Sequence, residues 1–191
     1  MIIGHLPGGF VLTYFVLRKH RKTRFYIAYL FVGMVASIVP DLDLFYHHLV
    51  DHRQHGHHSY WTHIPIFWLG IYLSFLLLAR VFNAKRVELL LHVVFLALMS
   101  HMLLDSITSG IKWLYPSDNT YYGLWQLWVV PARYDWWVMN YLLHWTFIYE
   151  LALLTTSLFI LVRDKALVFS MYELIVRFLP KRLTPKRETT R

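Results

Sequence analysis

The chain has 191 residues, of which 57% are hydrophobic, 18% aromatic and 16% charged, with a mean hydropathy of +0.42 and a formal net charge of +8. That composition is too apolar for an ordinary soluble domain and fits a small integral membrane protein. The lack of cysteine excludes disulfides, iron–sulfur clusters and thiolate zinc sites, so any metal must be held by imidazole, carboxylate, backbone oxygen or water.

Apolar runs predict about five membrane helices, over residues 5–17, 25–40, 63–82, 87–108 and 138–162, in an all-α polytopic bundle. The first run is at the short limit for a span. It lacks the basic leader and small-residue cleavage site of a signal peptide, so it is expected to stay in the membrane. Pro40 closes the second run, because proline removes an amide donor and disfavours helix at the residue before it. A histidine-rich loop over 47–58 follows, in which His47, His48, His52, His55 and His57 are too crowded for one site and read as mostly solvent-facing. His20, in the basic loop after the first run, reads as interfacial. His92, midway along the fourth run, predicts an interhelical hydrogen bond. Pro116 and Pro131 mark the long 110–137 connection, where Trp113, Trp125, Trp128, Trp136 and Trp137 are expected to anchor in the head-group layer. The tail after Arg163 mixes apolar residues from Leu167 to Leu179 with bases, which predicts an amphipathic helix on the anionic inner leaflet. The expected organisation is a membrane domain over 1–162 and a basic tail over 163–191.

Basic residues set the orientation, because lysine and arginine in short loops stay on the cytoplasmic side. Segments 18–24, 80–86 and 163–191 together hold sixteen of the nineteen lysines and arginines, leaving Arg53, Lys112 and Arg133 for the opposite face. This predicts a multi-pass protein of the inner membrane with an extracytoplasmic amino terminus and a cytoplasmic tail. Nucleic-acid binding is disfavoured, since the charge is divided among membrane-flanking loops instead of gathered with stacking aromatics. Counting about 1.5 Å per residue from the basic ends puts His5, Asp41, His63, His101 and Asp105 roughly 20–27 Å away, in one outer layer. His144 and Glu150 reach that layer on the last run.

Buried carboxylates and imidazoles are costly in low dielectric unless paired or bound to a cation. His101 and Asp105, four apart on one helix, share a face within reach of one ion. Asp41 and Asp43 alternate after Pro40 and can both turn inward, or one can bridge two ions. His58 and His63 enter the third run, with Thr62 placed to orient a ligand. Each pattern alone also suits a solvated turn or a hydrogen-bonded helix pair.

In this order the motifs resemble the YdjM-like family of membrane-bound metal-dependent hydrolases. The matching stretches are Gly4-His5-Leu6, Pro40-Asp41-Leu42-Asp43, His58-Ser59-Tyr60-Trp61-Thr62-His63, and Ser100-His101-Met102-Leu103-Leu104-Asp105 with Thr108 and Gly110. Ser59 stands where the family pattern has arginine, so Arg53 would replace it or the substrate class differs. The family is in turn distantly similar to zinc-dependent phospholipase C. That likeness implies two or three divalent ions, with zinc the expected metal. His58 or His63, with His101 and Asp105, would hold one ion, Asp41 or Asp43 would bridge, and His5 would serve a neighbouring ion. It also implies a later helix with a histidine and a glutamate four apart, for which this chain offers His144 and Glu150 six apart. The resemblance implies hydrolysis of a lipid phosphoester, such as a phospholipid or prenyl phosphate, at the extracytoplasmic face, with Asp43 or Asp41 as the base. The competing expectations are a metal transporter, which would carry polar residues through the inner half of several helices, and a non-enzymatic membrane scaffold or regulator.

Overall fold

The computed structural model describes residues 3–23, 25–124 and 136–178. It contains α1 (His5–Val16), α2 (Tyr26–Ala36), α3 (Asp43–Leu49), α4 (Pro65–Val81), α5 (Lys85–Thr108), α6 (Trp137–Leu142), α7 (Phe147–Arg163) and α8 (Lys165–Phe178). Short 3-10 turns at Leu17–His20, Pro40–Leu42, His57–Ser59 and Trp61–His63 join them. Among the described residues there is no strand, and a single antiparallel bridge pairs Ile111 with Tyr122 in the loop after α5.

The expectation of five spans is corrected. Among the described residues one helix, α5, is long and apolar enough to cross a bilayer, with a mean hydropathy of 2.0 over its best window. The pair formed by α2 and the segment Pro40–Leu49 passes the same test as a broken or re-entrant unit bent by 48°. Apolarity persists through the 3-10 turns while the helical rise does not, so run length overstates span length. The predicted last run also breaks, between α6 and α7. There the His144 Nδ1 faces Thr146 Oγ1 at 2.8 Å, and this local bonding competes with the helical ladder. In α5, His92 faces its own helix at the Glu88 carbonyl, 2.5 Å away, and meets Tyr72 of α4 edge-on. The expected interhelical hydrogen bond is thus replaced by a ring contact.

The chain divides into two compact units, Met1–Ser157 and Leu158–Arg191. In the first, α5 is the central post against which α1, α2 and α4 all pack. Its contact side is buried at Val93, Ala97, Leu98 and Met102, while Leu103 and much of α4, including Leu73, Phe75 and Leu77, are exposed. Water is a poor partner for that apolar shell and hydrocarbon a good one. Small residues bring α1 and α2 together: a Cβ on Gly9 would overlap the Ser37 hydroxyl, and one on Gly33 would overlap Thr13. Such close approach is how helices associate where no hydrophobic driving force separates them from lipid. In the second unit, Asp164 accepts the Leu167 N–H at 3.0 Å and caps α8, which exposes Val168, Phe169 and Tyr172. Residues 179–191, Trp125, Trp128 and Arg133 lie outside the described residues.

Candidate metal centre

Four short stretches converge at one end of α5. His101 and Asp105 project from its last two turns, His5 opens α1, Asp41 and Asp43 follow the Pro40 break, and His57, His58 and His63 line the two 3-10 turns before α4. His5, His63, His101 and Asp105 are buried, with no more than 1% of their surface exposed, whereas Asp41 keeps 23% of its side chain open. The donor atoms of His5, Asp41, His101 and Asp105 all lie within 4.8 Å of one another, as do those of His57, His58 and His63.

The outer nitrogens of two rings are fixed by their surroundings. His101 Nδ1 lies 2.7 Å from the Ser37 carbonyl oxygen, which can only accept, so the proton sits on Nδ1. His63 Nδ1 lies 2.8 Å from Asp43 Oδ2, which also receives the Thr62 hydroxyl. Both rings in their neutral form therefore turn an Nε2 lone pair inward, and these two nitrogens face each other at 3.2 Å. Opposed lone pairs repel, but two nitrogens bound at 2.0–2.1 Å to one tetrahedral ion stand about 3.3 Å apart. Donation of the far nitrogen to a carbonyl or carboxylate is the usual support of a metal-bound imidazole.

The carboxylates complete the set. Asp105 Oδ2 lies 3.0 Å from His101 Nε2 and 3.8 Å from His63 Nε2, and Asp41 Oδ1 lies 3.6 and 3.8 Å from the same two atoms. Each acid turns its second oxygen toward His5, whose Nε2 is 3.2 Å from Asp105 Oδ1 and 3.8 Å from Asp41 Oδ2. Neither nitrogen of buried His5 is in an aligned hydrogen bond, a state that costs about 1–3 kcal/mol per group unless something else binds it. Buried imidazoles and acids at coordination spacing, with inward lone pairs and orphaned nitrogens, fit a divalent metal.

A ring of supporting contacts holds this geometry. Ser37 Oγ donates to the His5 carbonyl at 2.9 Å while the Ser37 carbonyl holds His101, so one residue sets both stacked rings, whose centroids are 3.8 Å apart. His58 Nδ1 meets Ser109 Oγ at 3.0 Å and the Gly110 carbonyl at 3.3 Å, which leaves its Nε2 3.6 Å from Asp105 Oδ2. A side chain on Gly110 would collide with Tyr121, so the glycine admits this turn. Asp43 stands behind the cluster, its two oxygens toward His63 and His57.

The expected residues His5, Asp41, His58, His63, His101 and Asp105 are thus brought together, with Asp43 directly behind them. His144 is not among the grouped donors; it bonds Thr146 instead. Two roles escaped the sequence. His57, read as solvent-facing, sits between the acids, with Nε2 3.1 Å from Asp41 and Nδ1 2.8 Å from Asp43. Burial alone would lower its pKa, but those two carboxylates overcome it and push it up to about 9. Its neighbour His58 goes down to about 4 because burial disfavours its cation. Glu150, buried in α7, accepts the N–H groups of Ile3 and Gly4 at 2.7 and 2.8 Å and the Tyr141 hydroxyl at 2.8 Å, which fixes the start of α1 and hence His5. Adjacency to His58 was the available signal for His57; nothing local marks Glu150 as an anchor.

Among the described residues, fold and donor set together define a small helical protein with a His/Asp cluster that could hold a metal ion at one end of α5. The chain belongs to the YdjM inner membrane protein family, whose family model matches residues 1–177. No curated protein and no solved structure matches it, so the likeness to zinc phospholipase C rests on the motifs alone.

Proposed function

We propose that this protein is a membrane-embedded, zinc-dependent hydrolase that cleaves a phosphoester of a lipid at the extracytoplasmic face. The observation that carries the reading is the pair of inward Nε2 atoms of His63 and His101, 3.2 Å apart between the Asp41 and Asp105 carboxylates. His63 and His101 would hold a metal ion together with Asp41 and Asp105, and His5 would serve a neighbouring one. His58 completes the shell. Metal ions so held lower the pKa of water and polarise a phosphoryl oxygen.

The remaining residues prepare the site. A cavity of about 790 Å³ opens beside Asp43 and Thr62, with Leu42, Tyr46, Tyr60 and Trp61 in its wall. Leu42, Tyr46 and Trp61 are more than half exposed, which suits a ligand with an apolar tail. Asp43 lines that cavity, with Oδ1 buried 2.8 Å from His57 Nδ1, and the Asp43–His57 pair would accept the proton of a water attacking from that side. Arg18, Lys19, Arg80, Lys85 and Arg86, at the ends of α1, α4 and α5 away from the donor cluster, support the extracytoplasmic placement.

Elemental analysis of the purified protein, combined with a panel of phospholipids and prenyl phosphates, tests this. Stoichiometric zinc and phosphoester cleavage are expected in the wild type, and both should be lost in His101→Ala and Asp105→Ala. A metal-free protein that cleaves these esters, or a zinc-loaded protein that cleaves none of them, would overturn it.

A further inference from the structure

We infer a second ligand site, remote from the metal centre, that binds the phosphate group of an anionic lipid. A cavity of about 470 Å³ lies where the amino-terminal ends of α2 and α5 meet. Its polar wall is His20, Thr23, Lys85 and Arg86, its apolar wall Phe25, Tyr29 and Leu89, and among the described residues no carboxylate lines it. Lys85 lies sixteen residues before His101, about 24 Å along the same helix, so the two sites occupy opposite ends of α5.

Three independent features favour a phosphate. Lys85 and Arg86 bring full positive charge, with His20 as a further donor. The amino termini of α2 and of the 24-residue α5 add the positive ends of two helix dipoles. The Arg86 guanidinium is held 5.4 Å above the Phe25 ring, and Tyr29 Oη donates to the Arg86 carbonyl at 3.2 Å. Stacking uses the face of the guanidinium and leaves its edge donors for a tetrahedral anion.

The apolar wall favours lipid over free phosphate as the source. Phe25, Ala28, Phe31 and Val35 form an exposed stripe that runs along α2 from the cavity, a path for an acyl chain whose head group sits among the bases. Basic pockets between membrane helices recognise anionic head groups by this combination.

The test is native mass spectrometry of the full chain in detergent with an equimolar mixture of phosphatidylglycerol and phosphatidylcholine, alongside thermal melting with inorganic phosphate. Retention of phosphatidylglycerol is expected to exceed that of phosphatidylcholine by about tenfold or more. Each cation near such a site contributes about fivefold, so Lys85→Gln with Arg86→Gln should erase the preference. Arg18→Gln with Lys19→Gln, which removes equal charge outside the cavity, should keep it. Helical circular dichroism and monodisperse elution certify the variants, and a variant failing either is replaced by Arg86→Lys, expected to bind more weakly. Protection by millimolar phosphate equal to that by lipid would support the anion site and assign it to free phosphate. Equal retention of both lipids without phosphate protection, or equal losses in the two double variants, would overturn the inference.

Discussion

Replacing Asp43 by asparagine separates the support of the metal centre from its ligands. Asp43 Oδ2 accepts His63 Nδ1 at 2.8 Å and the Thr62 hydroxyl, while Oδ1 sits 2.8 Å from His57 Nδ1. Asparagine keeps the shape but must put an NH₂ on one side. If the NH₂ faces His57, His63 keeps a neutral acceptor in place of a charged one, a loss of about 1–1.5 kcal/mol or roughly tenfold. If it faces His63, donor meets donor, and the ring adopts the tautomer that puts a proton on the inward Nε2. Affinity for a divalent metal is then expected to fall by about a hundredfold, the upper range for lost outer-shell partners. Competition with a chromophoric chelator in detergent reads the change directly. A dissociation constant within threefold of wild type, at unchanged stoichiometry, would refute the claim that Asp43 fixes the His63 tautomer.

Glu150→Gln replaces a charged acceptor of three hydrogen bonds by a neutral one, so a loss of about 1–3 kcal/mol is expected; an unchanged melting temperature would count against its anchoring role. Gly9→Ala drives a methyl into Ser37, which holds both His5 and His101. We expect a destabilisation of about 1–3 kcal/mol together with weaker divalent-metal binding, measured by melting and metal titration. For the metal-free protein, the opposite shifts of His57 and His58 predict a stability maximum near pH 6.5. His57, raised to about 9, contributes stability that is complete below pH 6.5 and is lost as pH rises through 9. His58, lowered to about 4, is protonated first in the unfolded chain, so stability also declines as pH falls from 6.5 toward 4. Melting of chelator-treated protein from pH 4 to 10 checks this, and His57→Gln should flatten the alkaline limb.

The donor motifs were legible because their spacing is local. His101 and Asp105 share a helical face by the helical period, and Asp41 and Asp43 are placed by a proline that ends a helix. The span count was not legible, since hydropathy does not register the 3-10 turns after α1 and at Pro40, nor the His144–Thr146 break, which shorten the helices. His57 was misread because a histidine-rich loop looks the same in sequence whichever ring turns inward.

By itself, then, the sequence determined an apolar helical chain, a cysteine-free donor set and a charge bias between its alternate connecting segments, because these follow from residue identity and short-range periodicity. Only the tertiary structure decided which nitrogens face one another, that Ser37 and Asp43 fix the tautomers, and that Glu150 anchors α1 from a position 145 residues beyond His5. Those contacts join segments far apart in the chain, and their partners are chosen by how α1, α2 and α4 pack on α5.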